Sequence, residues 1–136
     1  MTVIVCVDDV YGMTFNKRRQ SRDAVVCQDI ISSLGGKRLF AAPGSKILFE
    51  QISGEVIYDD DPLANAGADD FCFIEDRSIG EYADKIDALI LYKWNKKYPS
   101  DRKLDLIPQK SGYKLRGIYE FKGKSHDKIN KEVYRR

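Results

Sequence analysis

Five carboxylates stand where apolar segments end or a helix begins: Asp8 and Asp9 after VIVCV, Asp23 ahead of AVVCQDII, and Glu75 and Asp76 after FCFI. Gathered at one place, such groups would bind Mg²⁺ through oxygen ligands or hold a cationic or amidine-bearing ligand through paired hydrogen bonds. Acids after strands also cap helices and form turns. Arg18, Arg19 and Arg22 share the stretch NKRRQSRD with Asp23, and guanidinium forks grip phosphates or carboxylates bidentately; the competing reading is a solvated loop whose arginines neutralise Asp8, Asp9 and Asp23. Trp94 lies in YKWNKKYPSD with Tyr92 and Tyr98, an aromatic and basic setting able to stack a planar ring or simply to pack. Ser125-His126-Asp127 is no triad, because adjacent residues of a strand alternate faces. A lone histidine beside a turn reads as a surface hydrogen-bonding group.

Composition narrows the classes. The chain has 136 residues, 43% of them hydrophobic and 32% charged, with 4 prolines, the range of a globular protein able to offset its ordering entropy. This predicts one domain over residues 1–136. Cys6, Cys27 and Cys72 are an odd, widely spaced set without a CxxC, each among apolar neighbours, which fits buried free thiols in a reducing compartment. With one histidine in the chain, a multi-histidine zinc site is excluded within a single copy. No uncharged apolar run approaches the roughly 20 residues of a bilayer span, and MTVIVCVDD lacks a basic leader region, so a cytoplasmic location is expected.

Charge is uneven along the chain. Residues 1–92 carry 9 Lys/Arg against 16 Asp/Glu, a net −7, and residues 93–136 carry 14 against 5, a net +9. The basic third alternates its lysines with apolar residues as strands do, which argues for a solvated outer face and against a nucleic-acid partner.

The elements that must position these groups follow from periodicity. Val3–Val7 is a continuous β-branched run, the mark of a central strand buried on both faces. A Gly-containing loop, VYGMTFNKRRQ, leads to a helix over about 22–34 with Ser21 as its cap and Gly35-Gly36 after it. RLFAA reads as a short strand, Ile47 to Ile52 as a second amphipathic helix, EVIY as a strand, DDDPLANAGADD as an acidic loop without Ca²⁺-loop spacing, and FCFI as another strand. A short helix over 78–85 precedes a strand at Ala88–Tyr92. Alternation of this kind predicts parallel pairing, whereas Tyr113–Phe121 and INKEVYRR, with no helix between them, should pair antiparallel. The expected fold is a three-layer α/β sandwich with a central, mostly parallel mixed sheet and an antiparallel C-terminal edge.

That order of elements, with several local strings, resembles the dihydrofolate reductase family. VIVCVDDVYGM is similar to the family's first strand, acidic turn and Gly-Met loop. Ten residues later comes Asp23, in the place of the acid that holds the pterin. IDALILYKWNKKYPSDRKLDLIP and YEFKGKSHDKINKEVYRR look like its penultimate-strand region and closing hairpin. The departures are specific: Arg18-Arg19-Gln20-Ser21 replaces a Pro-Trp pair, FAAPGSK gives only Gly44, Ser45 and Lys46 for a Gly-Arg-x-Thr element, and Glu75-Asp76 stands in the region of a Gly-Gly pair. Such glycines let a phosphate-bearing cofactor approach backbone amides at a helix start, and two carboxylates oppose its charge, which argues against classical NADPH binding. The chain is also similar to a group of small bacterial proteins with a VDD opening, a WN-x-x-YP-x-D middle and an SH-x-K-I-x-K-E-x-Y end. Some of these carry a ribonuclease Z label, which a single histidine cannot support.

The resemblance implies a cytoplasmic ligand-binding or interaction protein on this scaffold, with an unidentified small molecule or protein as partner. Two enzymatic alternatives stay open: a divergent NADPH-dependent reductase of a pterin-like substrate with Asp23 as its acid, and a Mg²⁺-dependent phosphoryl-transfer or hydrolysis enzyme using Asp8, Asp9 and Asp76.

Overall fold

The computed structural model of the protein describes residues 1–136. β1 (Thr2–Val7) lies at the centre of a seven-stranded sheet, and its alternation serves two layers at once. Val3, Val5 and Val7 face one core with Leu89 and Leu91, whereas Ile4 faces the other with Ile90 and Tyr92. The sheet runs β5 (Val56–Tyr58), β4 (Leu39–Ala41), β6 (Phe71–Phe73), β1, β7 (Ala88–Lys93), β10 (Ile129–Arg135), β9 (Lys114–Phe121). The first five are parallel; β10 pairs antiparallel with both β7 and β9, giving the mixed sheet and antiparallel edge expected from the pattern.

Helix α1 (Ala24–Ser32) covers one face through Val26, Cys27, Ile30 and Ile31, a spacing that places all four on one stripe. The single-turn helix α2 (Lys46–Phe49) packs beside it, and Phe49 meets Phe73 of the sheet edge-to-face at 5.2 Å. On the opposite face α3 (Pro62–Asn65), a 3₁₀ segment at Gly80–Lys85, and Leu104, Leu106 and Tyr113 complete the third layer. No helix is long and apolar enough to cross a membrane. All three cysteines are free; burial pushes the thiols of Cys27 and Cys72 up to about 11 and about 12.

The structure corrects several expectations from sequence. The stretch read as one loop over residues 10–20 contains a hairpin, β2 (Gly12–Phe15) and β3 (Arg18–Arg19), in a small second sheet completed by β8 (Arg102–Lys103). Its two-residue turn, Asn16-Lys17, has φ of 51° and 62°, the positive values tight hairpins need, reached here without glycine. Helix α1 begins at Ala24 with Asp23, not Ser21, as its cap. The predicted second helix shrinks to one turn, the segment over 78–85 is 3₁₀, and the acidic loop holds α3.

Asp8 fastens the hairpin to β1. Its buried carboxylate accepts the backbone N–H groups of Val10 (3.0 Å), Gly12 (2.7 Å) and Tyr98 (3.1 Å), and the side-chain amide of Gln20 (3.1 Å). Burial pushes this carboxyl up, but the amides of Gly12, Tyr98 and Val10 together with Gln20 outweigh that and hold it below the usual carboxylate value. Asp8→Ala would leave three backbone donors without their acceptor and should lower the unfolding free energy by about 3 kcal/mol. Urea denaturation of wild type and variant reads this directly.

Candidate functional site

Because five neighbouring strands are parallel, the loops after β1, β4, β5, β6 and β7 emerge at one edge of the sheet, where open α/β sheets bind ligands. Two groups of side chains meet there. The first surrounds a cavity of about 650 Å³, bounded by Ala42, Gly44 and Ser45 after β4, Asp60 after β5, and Glu75, Asp76 and Arg77 after β6, with Thr14, Lys17 and Arg19 from the hairpin above.

Ion pairs fix most of this lining. Glu75 accepts two hydrogen bonds from Arg19, at 2.8 and 2.9 Å, and one from the Ser45 hydroxyl at 2.6 Å. The same guanidinium donates to the Gly44 carbonyl at 2.8 Å, so the hairpin is clamped across the strand ends. Asp76 accepts from Thr14 (2.7 Å) and Arg102 (3.1 Å), and Arg77 spans Asp61 and Glu81. Lys17 and Asp60 are exposed in the same lining and take part in no ion pair.

The second group is built on Asp23. At the start of α1 its carboxylate is buried, with Oδ1 accepting the N–H groups of Val25 and Lys124, both at 2.9 Å. Oδ2 accepts the Ser125 N–H at 2.7 Å and faces Nδ1 of His126 at 2.9 Å. Burial pushes this carboxyl up; the His126 hydrogen bond and the amides of Lys124, Ser125 and Val25 outweigh it and set the value at about 2. An ionised carboxylate only accepts, so Nδ1 donates to it, and Nε2 lies 2.9 Å from the Ser21 hydroxyl. Tyr98 Oη lies 3.4 Å from the same nitrogen. Trp94, buried, stacks on the imidazole with centroids 4.6 Å apart and planes at 24°. His126 is therefore an interior residue and not the surface group read from sequence, while its neighbours Ser125 and Asp127 are exposed.

A cavity of only about 20 Å³ separates the two groups. It is lined by Ser21, Gln20, Cys6, Cys27 and Trp94 among others, and shares Arg19, Phe73, Ile74 and Glu75 with the larger one. Gln20 Oε1 is buried without a hydrogen-bond partner.

Of the residues singled out in the sequence, Arg19 and Glu75 meet each other, Asp76 stands beside them, and Asp23 and Trp94 meet through His126. The carboxylates do not converge: Asp8, Asp23, Glu75 and Asp76 each have their own donors, Asp9 is exposed, and no group of three or more His, Cys, Asp or Glu side chains is placed to hold a metal ion. Arg18 and Arg22 are exposed, so the three arginines form no clamp and only Arg19 turns inward. Reading the sequence missed Thr14, Lys17, Asp60 and Arg77 in the larger cavity, and the pairing of Ser21 and His126 beside Asp23. The sequence signals were slight: Ser21 two residues from Asp23, and the uniqueness of His126.

No protein-family model matches the chain, and no curated protein matches it. Among solved structures it is similar to a dihydrofolate reductase from Enterococcus faecalis complexed with NADP(H) and RAB-propyl, at a TM-score of 0.66 and 10% identity, over 99% of this chain and 95% of that one. The sheet order, the three layers and this match define a dihydrofolate reductase-like fold. At 10% identity the likeness is one of fold.

Gly123 faces Asp23 so closely that a Cβ there would lie 2.5 Å from Oδ2. Gly123→Ala must displace the carboxylate or the turn and should destabilise the fold by about 1–3 kcal/mol, measurable by denaturant titration. The Asp23 carboxyl is lowered from 3.8 to about 2. A depressed folded-state value contributes stability that is complete above the unfolded value and disappears as pH falls through the folded one, here about 2 kcal/mol between about pH 4 and pH 2. Asp23→Asn should flatten that part of the stability–pH curve.

Proposed function

We propose that the protein binds a small polar molecule carrying both a cationic and an anionic group, held in the larger cavity at the carboxyl ends of β4, β5 and β6. The observation that carries this reading is the lining itself. Its acidic residues are Asp60, Glu75, Asp76 and Glu81, against Lys17, Arg19 and Arg77, and the two arginines are already paired with carboxylates. Lys17 and Asp60 supply one charge of each sign with no internal partner, and Ser45, Ser78 and Thr14 add hydroxyls.

The NADP(H) bound by the Enterococcus faecalis enzyme carries a pyrophosphate and needs the opposite balance. These residues do not fit it: Glu75 and Asp76 would face the polyanion, and Arg19 could reach it only by abandoning Glu75. The fold supports a ligand-binding scaffold, and the lining favours a binding protein over an NADPH-dependent reductase. Nor does the arrangement favour the Mg²⁺-dependent alternative, since its carboxylates are dispersed.

A thermal-shift panel tests this reading. Free amino acids and amino-sugar phosphates, each offered alone, form one arm; NADPH, dihydrofolate and Mg²⁺ form the other. A ligand at about a hundredfold its dissociation constant stabilises by about 2.7 kcal/mol, a rise of several degrees in a domain of this size. We expect a member of the first arm to raise Tm and Lys17→Ala or Asp60→Ala to abolish the shift. A rise with NADPH and none in the first arm would contradict the proposal and restore the reductase reading.

A further inference from the structure

The seven-stranded sheet has two unequal edges. β5 ends it on one side with three residues and β9 on the other with eight, so the outer side of β9 is the longest open edge in the protein. Six of its eight residues are exposed, and Leu115, Ile118 and Tyr119 are three of the seven large apolar side chains that the whole chain leaves exposed. Unpaired N–H and C=O groups flanked by exposed apolar side chains are a template for another strand.

Charged residues of one sign guard such an edge, because a strand then repels its own copy. On β9 the charges are sorted by sign instead. Lys114 and Arg116 stand toward its start and Glu120 toward its end. Neither cation has an ion pair, and Glu120 has only the exposed contact of its Oε1 with Lys128 at 3.2 Å. A strand positive at one end and negative at the other opposes itself when parallel and complements itself when antiparallel.

We propose that the protein forms a two-fold dimer in which β9 pairs antiparallel with β9 of a second copy, Arg116 of each protomer facing Glu120 of its partner. Ile118, midway between the two, meets its own copy on the axis, and Gly117 lies opposite Tyr119, a small residue beside a large one. Pairing with β10 shifts register between Val133 and Tyr134, which leaves Arg116 as the one residue of β9 without a partner on β10. A bulge of this kind re-aims its side chain; it frees Arg116 for the second copy and confines regular pairing to Gly117–Phe121. The interface is therefore small, at the weak end of protein–protein contacts, and the dimer dissociates on dilution. A strand of another protein would satisfy the open backbone equally. What singles out a second copy is reciprocity, since the symmetry forms both Arg116–Glu120 pairs at once.

Sedimentation equilibrium over roughly 1 µM to 1 mM protein reads the association, with circular dichroism to confirm that each variant is folded. Wild type should show a reversible monomer–dimer equilibrium. Arg116→Glu and Glu120→Lys, both at exposed positions, should each weaken it at least about tenfold, because symmetry turns two attractive pairs into two repulsive ones. An equimolar mixture of these two variants should associate again as a heterodimer, since every cross-strand pair is then of opposite sign. Ile118→Lys, which sets like charges on the axis, should abolish self-association. A monomer throughout the range, a dimer indifferent to both charge substitutions, or a mixture no more associated than either variant alone would overturn the proposal. The first of these outcomes would leave the edge to a strand of another protein.

Discussion

A carboxylate out of water is costly unless every lone pair finds a donor, and the Asp23 side chain is organised around that constraint. It has four donors, from α1 itself, from two successive amides of the turn between β9 and β10, and from His126. Three of these come from residues more than 100 positions away, so one side chain joins the first helix of the chain to its last hairpin. The consequences spread outward. Gly123 has no room for a side chain, His126 is held with Nδ1 toward the carboxylate, and Trp94 lies flat against the ring. What is an N-cap in local terms is the closure of the domain in tertiary terms.

The same logic of enforced pairing shapes the other group. Parallel strands deliver acidic loops side by side, and like charges at one edge repel unless cations come between them. The hairpin β2–β3, absent from a reading of local pattern, brings that cation: Arg19 reaches over the strand ends to Glu75 and the Gly44 carbonyl. Thus the acids after β6 do not form a metal cage. They serve as anchors for a cover, and the cavity beneath the cover keeps Lys17 and Asp60 uncommitted.

Much of the fold was legible because burial on two faces leaves continuous apolar runs. Val3–Val7, Phe71–Ile74 and Ala88–Tyr92 could hardly be anything but inner strands, and the absence of a helix between the last two β-rich segments dictated their antiparallel pairing. The hairpin was not legible, since Asn16-Lys17 adopts a turn geometry usually signalled by glycine. By residue type both Ser21 and Asp23 are good caps; what decides between them is the pair of amides at Lys124 and Ser125, which no local pattern reveals. The burial of His126 is hidden for the same reason. Its surroundings in sequence, exposed Ser125 and Asp127, describe a surface turn, and only the tertiary fold turns this one ring inward. The pairing of Arg19 with Glu75, separated by 56 residues, lay equally beyond spacing arguments.

The Asp23 carboxylate holds the β9–β10 turn as an interior structure, although Lys124 and Ser125 are themselves exposed residues. Amide hydrogen exchange at those two positions measures this most directly, because an exposed turn exchanges freely unless its N–H groups are bound. Lys124 and Ser125 should exchange as slowly as the amides of β7 and β10, and Asp23→Asn should accelerate both selectively. Exchange of these two amides at the rate of an unstructured loop would contradict it.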